Sequence, residues 1–485
     1  MRLAVVEPCL DFKSNIVRDV IYGCWCGGKR IGGGTVPPFE LLTIATILKN
    51  EGHDVVFIDA QAEQLDVNEV SARMKGSKLL IVSTSVMTVN SDAAYTQKLK
   101  KDSPDLLVAM YGSHPTFMPE DTLDKGIDFA IQREPEMVLK DLASALDNID
   151  FEKARNTNGV VSKLEDGTVI NNDRYPFLDN LDMLPPIDID FLPKNAEYFN
   201  PIVIELPYIT VSTSHGCPGK CNYCTAPFFH GARTRFQSAE KVLDDIGYYL
   251  SKGIKEIYYR DETFTADKQR VLDICKGIQN RGYKFPWICN ARVDTVDREM
   301  LKAMKKAGCH LIKFGTESGN QEVLDAIKKE VTVEQNRLAI QMCNEIGIDS
   351  HAHLMLGMPG ETYQSMEDTL NFALDTNPTT VTFGICTPYP GTPLFRRVVK
   401  EDPSIGDGAD NAAMDRLHIE GDFNHIFSDV DGKILTKTVK RFYRKFYLRP
   451  SYIIRRLFGI RSWKIVRNLV IGGLNIFSFG YGSKS

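Results

Sequence analysis

Three cysteines, Cys217, Cys221 and Cys224, stand in a C-x-x-x-C-x-x-C spacing within His215-Gly216-Cys217-Pro218-Gly219-Lys220-Cys221-Asn222-Tyr223-Cys224. Thiolates are the ligands that hold iron–sulfur clusters. Three closely spaced thiolates cover three irons of a cubic 4Fe–4S cluster and leave the fourth corner open to another ligand. Gly216, Pro218 and Gly219 suit a loop that bends its backbone around such a cube. A zinc knuckle or three unrelated thiols are the competing readings. Structural zinc normally takes four ligands, often as two C-x-x-C pairs, and no fourth Cys or His completes such a pair nearby.

The sequence after this loop alternates short apolar runs with amphipathic stretches. Ile257-Tyr258-Tyr259-Arg260 ends in Asp261-Glu262-Thr263-Phe264, and Trp287-Ile288-Cys289-Asn290 leads into Ala291-Arg292-Val293-Asp294. His310 to Phe314 precedes Gly315-Thr316-Glu317-Ser318-Gly319, and Leu354-Met355-Leu356 precedes Gly357-Met358-Pro359-Gly360-Glu361. Val381 to Gly384 then precedes Thr387-Pro388-Tyr389-Pro390-Gly391-Thr392. Helical patterns at Ala239 to Lys252, Lys268 to Arg281, Arg298 to Ala307, Val333 to Glu345 and Thr362 to Leu374 separate the runs. Strands alternating with helices imply parallel βαβ units. A small or charged residue at the end of each strand fits a barrel whose chemistry sits at the C-terminal rim.

The cysteine spacing, with aromatic Tyr223 immediately before the third cysteine, resembles the cluster loop of radical S-adenosylmethionine (radical SAM) enzymes. The strand order resembles their partial (β/α)6 barrel. That resemblance implies two cofactors, a 4Fe–4S cluster and S-adenosylmethionine, whose methionine part binds the open iron while Tyr223 lies near the adenine. It implies that Asp261, Glu262 and Thr263 accept the methionine ammonium and that Arg292 faces the carboxylate, where its planar fork suits bidentate contact. Glu317 would reach the ribose, and Gly357 and Gly360 around Pro359 would let the backbone approach the nucleoside closely. An ion-pair network in the barrel mouth is the plainer role for Arg292 and Glu317. The implied reaction is reductive cleavage of S-adenosylmethionine and hydrogen abstraction from an unactivated carbon, with a flavodoxin- or ferredoxin-type reductant.

At 485 residues, with 43% apolar and 25% charged residues, the chain reads as a globular protein of two or three domains. Eleven cysteines, an odd number without a paired framework, argue against a disulfide scaffold, and oxidation-labile cluster thiols point to a reducing cytoplasm. The opening Met1 to Glu7 reads as a strand rather than a signal peptide. Near-continuous apolar runs at Arg2 to Glu7, Asp54 to Asp59, Leu79 to Ser83, Leu106 to Met110 and Ile127 to Ile131 have the pattern of strands buried on both faces. Residues 1–147 are therefore expected to form a doubly wound α/β domain with ligands beyond the strand ends. Residues 148–207 read as a connector with a hairpin around Asp166-Gly167, 208–395 as the barrel, and 396–485 as a basic helical extension.

The stretch from Thr35-Val36-Pro37-Pro38 to Gly52-His53, with Gly112-Ser113-His114-Pro115 and Glu134-Pro135-Glu136, resembles the cobalamin-binding domain ahead of many radical barrels. Members of that class include anaerobic magnesium-protoporphyrin ester cyclases and hopanoid-modifying enzymes. The class implies cobalamin as a third cofactor and C-methylation or oxidative ring formation on a lipid, isoprenoid or tetrapyrrole. The D-x-H-x-x-G motif that places a protein imidazole under the corrin is missing. Two readings stay open, a corrin bound without that imidazole or an inherited fold without corrin. A cobalamin-independent radical SAM enzyme and a cobalamin- or redox-sensing iron–sulfur protein are the alternatives. Cys9, Cys24 and Cys26, with Gly32-Gly33-Gly34, read as a glycine-rich active-site loop rather than a second cluster or a phosphate loop, which would need a following lysine. His351 and His353, two apart on a strand, face the same way.

From Gly432 to Ser485 there are 13 Lys or Arg and no acidic residue, in a chain whose net charge is −5. Phe442, Tyr443, Phe446, Tyr447, Tyr452, Ile453, Ile454 and Leu457 are interleaved with them. Such a segment is expected to meet a membrane surface, placing the protein in the cytoplasm or on the membrane's inner face. Packing on its own acidic domains is the second reading. No nucleic-acid module accompanies it.

Overall fold

The computed structural model describes residues 1–10, 16, 18, 34–196, 198–405, 421, 423–458 and 473–474. The N-terminal sheet contains β1 (Arg2–Glu7), β2 (Asp54–Asp59), β3 (Leu79–Thr84), β4 (Leu107–Gly112), β5 (Phe129–Ile131), β6 (Val160–Lys163) and β7 (Val169–Asn171). Its order is β2-β1-β3-β4-β5-β6-β7. The first five strands pair in parallel, and β6 and β7 close the sheet antiparallel. The hairpin assigned to a connector is thus part of this sheet, which runs past residue 147. Val160 and Val161 are fully buried, so β6 finds its apolar partners on β5 rather than in a free linker.

The second sheet contains β8 (Tyr208–Val211), β11 (Glu256–Tyr259), β12 (Trp287–Ala291), β13 (Cys309–Glu317), β14 (Asp349–Leu356) and β15 (Thr380–Ile385), with the short ladder strands β9 (Ser214–His215) and β10 (Arg235–Phe236) lying outside it. Its order is β15-β14-β13-β12-β11-β8, all parallel. Helices cover its outer face, and each begins at a side chain that accepts from a first-turn amide. Ser238, Asp267, Asp297, Thr332 and Thr362 accept from Lys241, Arg270, Met300, Gln335 and Ser365. A cap of this kind contributes about 1 kcal/mol and fixes where the helix starts. Trp287 is fully buried against Tyr259 and Phe264, with ring centroids 5.6 and 5.5 Å away.

The two sheets are joined by the segment before the helix Phe39–Asn50. Thr210 donates to the Pro37 carbonyl at 2.6 Å and Tyr208 to the Thr35 carbonyl at 3.0 Å, so this strap lies along β8. Tyr198 donates to Asp59 at the end of β2.

β15 is paired only with β14 among the described residues, leaving a sheet edge to be covered. The helix Gly432–Tyr447 covers it. Leu435, Phe442 and Phe446 are fully buried there, Val439 nearly so. Tyr447 accepts from the Val381 amide at 2.8 Å and donates to its carbonyl at 2.7 Å, and Tyr443 accepts from the Phe383 amide at 3.3 Å. For the aromatic residues of this helix this corrects the expectation of a membrane-facing role in favour of the second reading, packing on the protein's own domains, while residues 459–472 and 475–485 of the tail lie outside the described residues. Phe442, Tyr443, Phe446 and Tyr452 are spent on the barrel, because an open strand edge offers both apolar surface and unsatisfied backbone groups. Ile453 and Ile454 remain exposed, at 44% and 53%.

Candidate active site

The cysteine loop opens from a two-residue ladder, β9 (Ser214–His215) paired antiparallel with β10 (Arg235–Phe236). Gly216 has φ +93°, and a Cβ there would stand 2.3 Å from the Arg233 carbonyl oxygen, so only glycine fits the first bend. A Cβ on Gly219 would lie 3.3 Å from both Cys217 Sγ and an Arg292 guanidinium nitrogen. Cys217, Cys221 and Cys224 all line one cavity of about 200 Å³ at the C-terminal end of the barrel strands. Burial raises the Cys224 thiol well above its ordinary value, and neighbouring Cys221 and Cys217 raise it further. Three thiolates here need a cationic partner between them, and a donor set of three thiolates fits a 4Fe–4S cluster with one open iron.

Glu317 ends β13, where the pairing with β14 slips between Gly315 and Glu317. The residue has φ +59°, and its side chain lines the cavity. It accepts from Lys329 Nζ at 2.8 Å, and the Tyr223 phenol also bonds to it. A Cβ on Gly315 would lie 2.6 Å from the Glu317 carboxylate and 3.0 Å from Lys329 Nζ, so the ion pair needs that glycine. Burial first, then Glu317, holds the Tyr223 phenol well above its usual value, so it stays a neutral donor.

Arg292 follows β12, and its guanidinium binds Asp294 through two bonds of 2.9 Å and the Lys329 carbonyl at 3.1 Å. The plainer reading of Arg292 and Glu317 as ion-paired rim residues describes their contacts, though they form two separate pairs, with Asp294 and Lys329. Glu262 and Thr263 line the cavity, while Asp261 does not. The Asp261 carboxylate is fully buried and accepts from the Thr213 amide at 2.6 Å and the Ser214 hydroxyl at 2.8 Å. Those bonds tie the end of β11 to the start of the cysteine loop, so Asp261 shapes the site and leaves no carboxylate oxygen in the cavity.

Gly357, Pro359 and Gly360 lie elsewhere as well. Gly357 is packed so that a Cβ would meet Asn424 at 2.5 Å and Leu435 at 2.7 Å, and Pro359 and Gly360 line a separate hollow beside Asn222 and Leu394. The end of β14 packs against the C-terminal segment through Asn424 and Leu435, so Gly357 serves that packing.

Lys313, Lys329 and His353 line the cavity without having been singled out as binding residues, apart from the same-face reading of the two histidines. Lys313 could have been found by counting back in twos from Glu317 along β13. Lys329 lies beyond a helix and carries no such signal. His353 bonds to Thr382 at 2.8 Å, with the His351 ring 4.5 Å away. Burial, then His351 and Lys313, keep His353 well below its usual value, so it is a neutral imidazole. Cys275, Cys289 and Cys309 are core residues at 0–1% exposure. Cys9 is buried against the N-terminal core, and Cys24, Cys26, Gly32 and Gly33 lie outside the described residues.

For a corrin, the test is whether an imidazole stands at the strand ends of the first sheet. His53 precedes β2 at the other end and bonds to the N-terminus, and His114 is fully buried against Asp121 at 2.6 Å. Neither can ligate cobalt from there, so a bound corrin takes no axial imidazole from these two residues.

A thiol loop and charged rim at the mouth of a parallel partial barrel, behind a doubly wound domain, define a radical SAM enzyme. A family model described as the radical SAM superfamily matches residues 211–373, and one described as a B12 binding domain matches residues 32–143. An uncharacterized methyltransferase of Pyrococcus horikoshii, PH0819, is 32% identical over 93% of this chain and 96% of its own length. The anaerobic magnesium-protoporphyrin IX monomethyl ester cyclase of Rubrivivax gelatinosus is 27% identical over 88% of this chain and 76% of its own. Among solved structures, the cobalamin-dependent S-adenosylmethionine radical enzyme OxsB with aqua-cobalamin superposes with a TM-score of 0.69 at 18% identity, covering 99% of this chain and 72% of that one. The radical S-adenosylmethionine methyltransferase TsrM of Kitasatospora setae, with cobalamin and a [4Fe-4S] cluster, gives 0.67 at 18%, covering 82% and 78%. These two likenesses show the fold. The chain belongs to the radical SAM superfamily, in the branch that carries a B12 binding domain ahead of the barrel. Its cofactors include a 4Fe–4S cluster and S-adenosylmethionine.

Proposed function

We propose that this enzyme C-methylates or oxidatively cyclises an unactivated carbon of a hydrophobic substrate, of the lipid, isoprenoid or tetrapyrrole kind, with cobalamin held by the N-terminal domain. The observation that carries the reading is a single cavity lined both by the thiols Cys217, Cys221 and Cys224 and by the apolar side chains Met355, Ile385 and Tyr389. When bound, the cluster supplies the electron that cleaves S-adenosylmethionine, which makes the attack on an unactivated carbon possible. The chain's own residues bind and orient. Arg292 offers its guanidinium edge toward the cysteine loop, Glu317 with Tyr223 and Lys329 forms a fixed polar strut, and neutral His353 lines the cavity without adding charge. Relatives include proteins named for magnesium-protoporphyrin ester cyclisation and hopanoid C-3 methylation, which supports a hydrophobic substrate here.

The nucleoside assignments for Glu262, Thr263, Arg292, Glu317 and Tyr223 belong to this reading, as does a flavodoxin- or ferredoxin-type reductant. So does peripheral membrane contact. No described helix is long and apolar enough to cross a membrane. Ile453 and Ile454, exposed on the helix Pro450–Phe458, offer a small apolar edge among basic residues. The test is anaerobic reconstitution with cobalamin, followed by iron and cobalt counts and incubation with membrane lipid and tetrapyrrole extracts and methyl-labelled S-adenosylmethionine. Label or a new ring in an extractable apolar product supports the proposal. Release of 5′-deoxyadenosine with cobalt absent and product only from water-soluble substrates would count against it. Anionic vesicles should retain the protein at low salt, and Ile453→Asp with Ile454→Asp should release it.

A further inference from the structure

Glu134 immediately precedes the helix Pro135–Asp147, in the turn after β5, and its side chain makes no capping bond to that helix. Its carboxylate leaves the N-terminal domain and meets three barrel side chains. His215 Nδ1 stands 3.2 Å away, His230 Nδ1 3.0 Å, and the Arg235 guanidinium contacts both carboxylate oxygens. These partners have one thing in common. His215 and Arg235 are paired residues of the β9–β10 ladder that closes the cysteine loop, and His230 lies within the loop with its carbonyl accepting from Arg235 at 2.7 Å. Cys217 comes two residues after His215, and its amide donates to the Gly231 carbonyl at 3.2 Å. Gly216 between them is packed against three carbonyl oxygens, those of Arg233, Gly231 and His230. One carboxylate from the first domain therefore clamps both ends of the loop that carries the cluster thiols. With no free space at Gly216, a shift at that clamp must move Cys217.

We propose that Glu134 is a positioning residue through which the N-terminal domain fixes the cluster loop, so that the reduction potential of the cluster and the binding of S-adenosylmethionine depend on this contact. The proposal rests on the radical SAM reading of the loop and gives the N-terminal domain a role that needs no corrin. The ligand atoms of Glu134, His215 and His230 also lie within 4.8 Å of one another, the spacing of a divalent-ion site. Arg235 already occupies both carboxylate oxygens, and a second cation there would face its charge, so the geometry favours the clamp.

The experiment uses the full-length protein reconstituted anaerobically, with Glu134→Gln, Glu134→Asp and His230→Gln compared with wild type. Iron content should stay near wild type in all three. At the wild-type midpoint potential, the ratio of reduced to oxidised cluster in Glu134→Gln, read by electron paramagnetic resonance, should change about tenfold, or ~59 mV for one electron. S-adenosylmethionine should bind severalfold more weakly, Glu134→Asp should recover most of both, and His230→Gln, which leaves no buried charge unpaired, should show a smaller change of the same sign. Wild-type potential and affinity in both Glu134→Gln and His230→Gln would overturn the proposal. So would one zinc per chain that is present in wild type and lost in Glu134→Gln. A wild type that takes up no iron overturns this proposal together with the cluster assignment, whereas the other two outcomes leave that assignment standing.

Discussion

Replacing Phe442 with Ala separates the two roles open to the C-terminal segment. Phe442 is fully buried, with its ring edge-on to Phe383 of β15 at a centroid distance of 5.4 Å. Truncating a buried Phe removes its transfer free energy and leaves a cavity, costing about 3–5 kcal/mol. Tyr447→Phe should cost about 1–3 kcal/mol, because the Val381 amide and carbonyl both lose their partner at the sheet edge. Ile453→Ala, at a site 44% exposed, should stay within about 0.5 kcal/mol. Urea unfolding of the protein without cofactors gives these differences, and hydrogen exchange over residues 380–385 shows whether the loss is local to β15. The same substitution should loosen the cavity, since Ile385 and Cys386 line it. If Phe442→Ala and Ile453→Ala both cost less than about 1 kcal/mol, the helix is not the cover of the barrel edge.

Two further outcomes follow from the buried charges. Burial raises the Glu361 acid to about 8, and its Oε1 has no hydrogen-bond partner. A raised acid favours folding while protonated, so its contribution is complete below pH 4.5 and fades as pH rises toward 8. Glu361→Gln should remove that loss and gain about 3 kcal/mol over wild type at pH 7, from about 2.5 pH units; identical stability–pH curves would contradict this. Arg292→Ala and Glu317→Ala should each weaken S-adenosylmethionine binding roughly tenfold, about 1.4 kcal/mol, with iron content near wild type. Equilibrium dialysis reads the affinity, and normal binding in both would remove these residues from the nucleoside site.

The cysteine loop was legible because its ligands are close in sequence and their spacing carries the chemistry. The barrel strands were legible because each apolar run ends in a small or charged residue. Contacts that join distant residues left no such trace. Lys329 comes to Glu317 from beyond a helix, and Glu134 reaches His215, His230 and Arg235 from another domain. Asp261 sits at the expected strand end, but its carboxylate is consumed by Thr213 and Ser214, a competition that sequence does not record. The tail's amphipathic pattern was plain in Phe442, Tyr443 and Phe446. Nothing in it said that the apolar face would meet an open strand edge instead of a membrane, because that edge exists only once the sheet stops at β15. The hairpin at Asp166-Gly167 was likewise visible as a hairpin, while its pairing with β5 depends on where the first sheet has an unpaired side.

The most direct test of the account compares Cys221→Ala with Cys289→Ala after anaerobic reconstitution. Cys221 lines the cavity, and Cys289 is a fully buried core residue on β12. Wild type and Cys289→Ala should hold about four irons per chain, as a 4Fe–4S cluster requires, and should release 5′-deoxyadenosine from S-adenosylmethionine under reductant. Cys221→Ala should lose the cluster spectrum and the cleavage together. Undiminished cleavage in Cys221→Ala would contradict the central claim, that Cys217, Cys221 and Cys224 hold the cluster that starts the reaction.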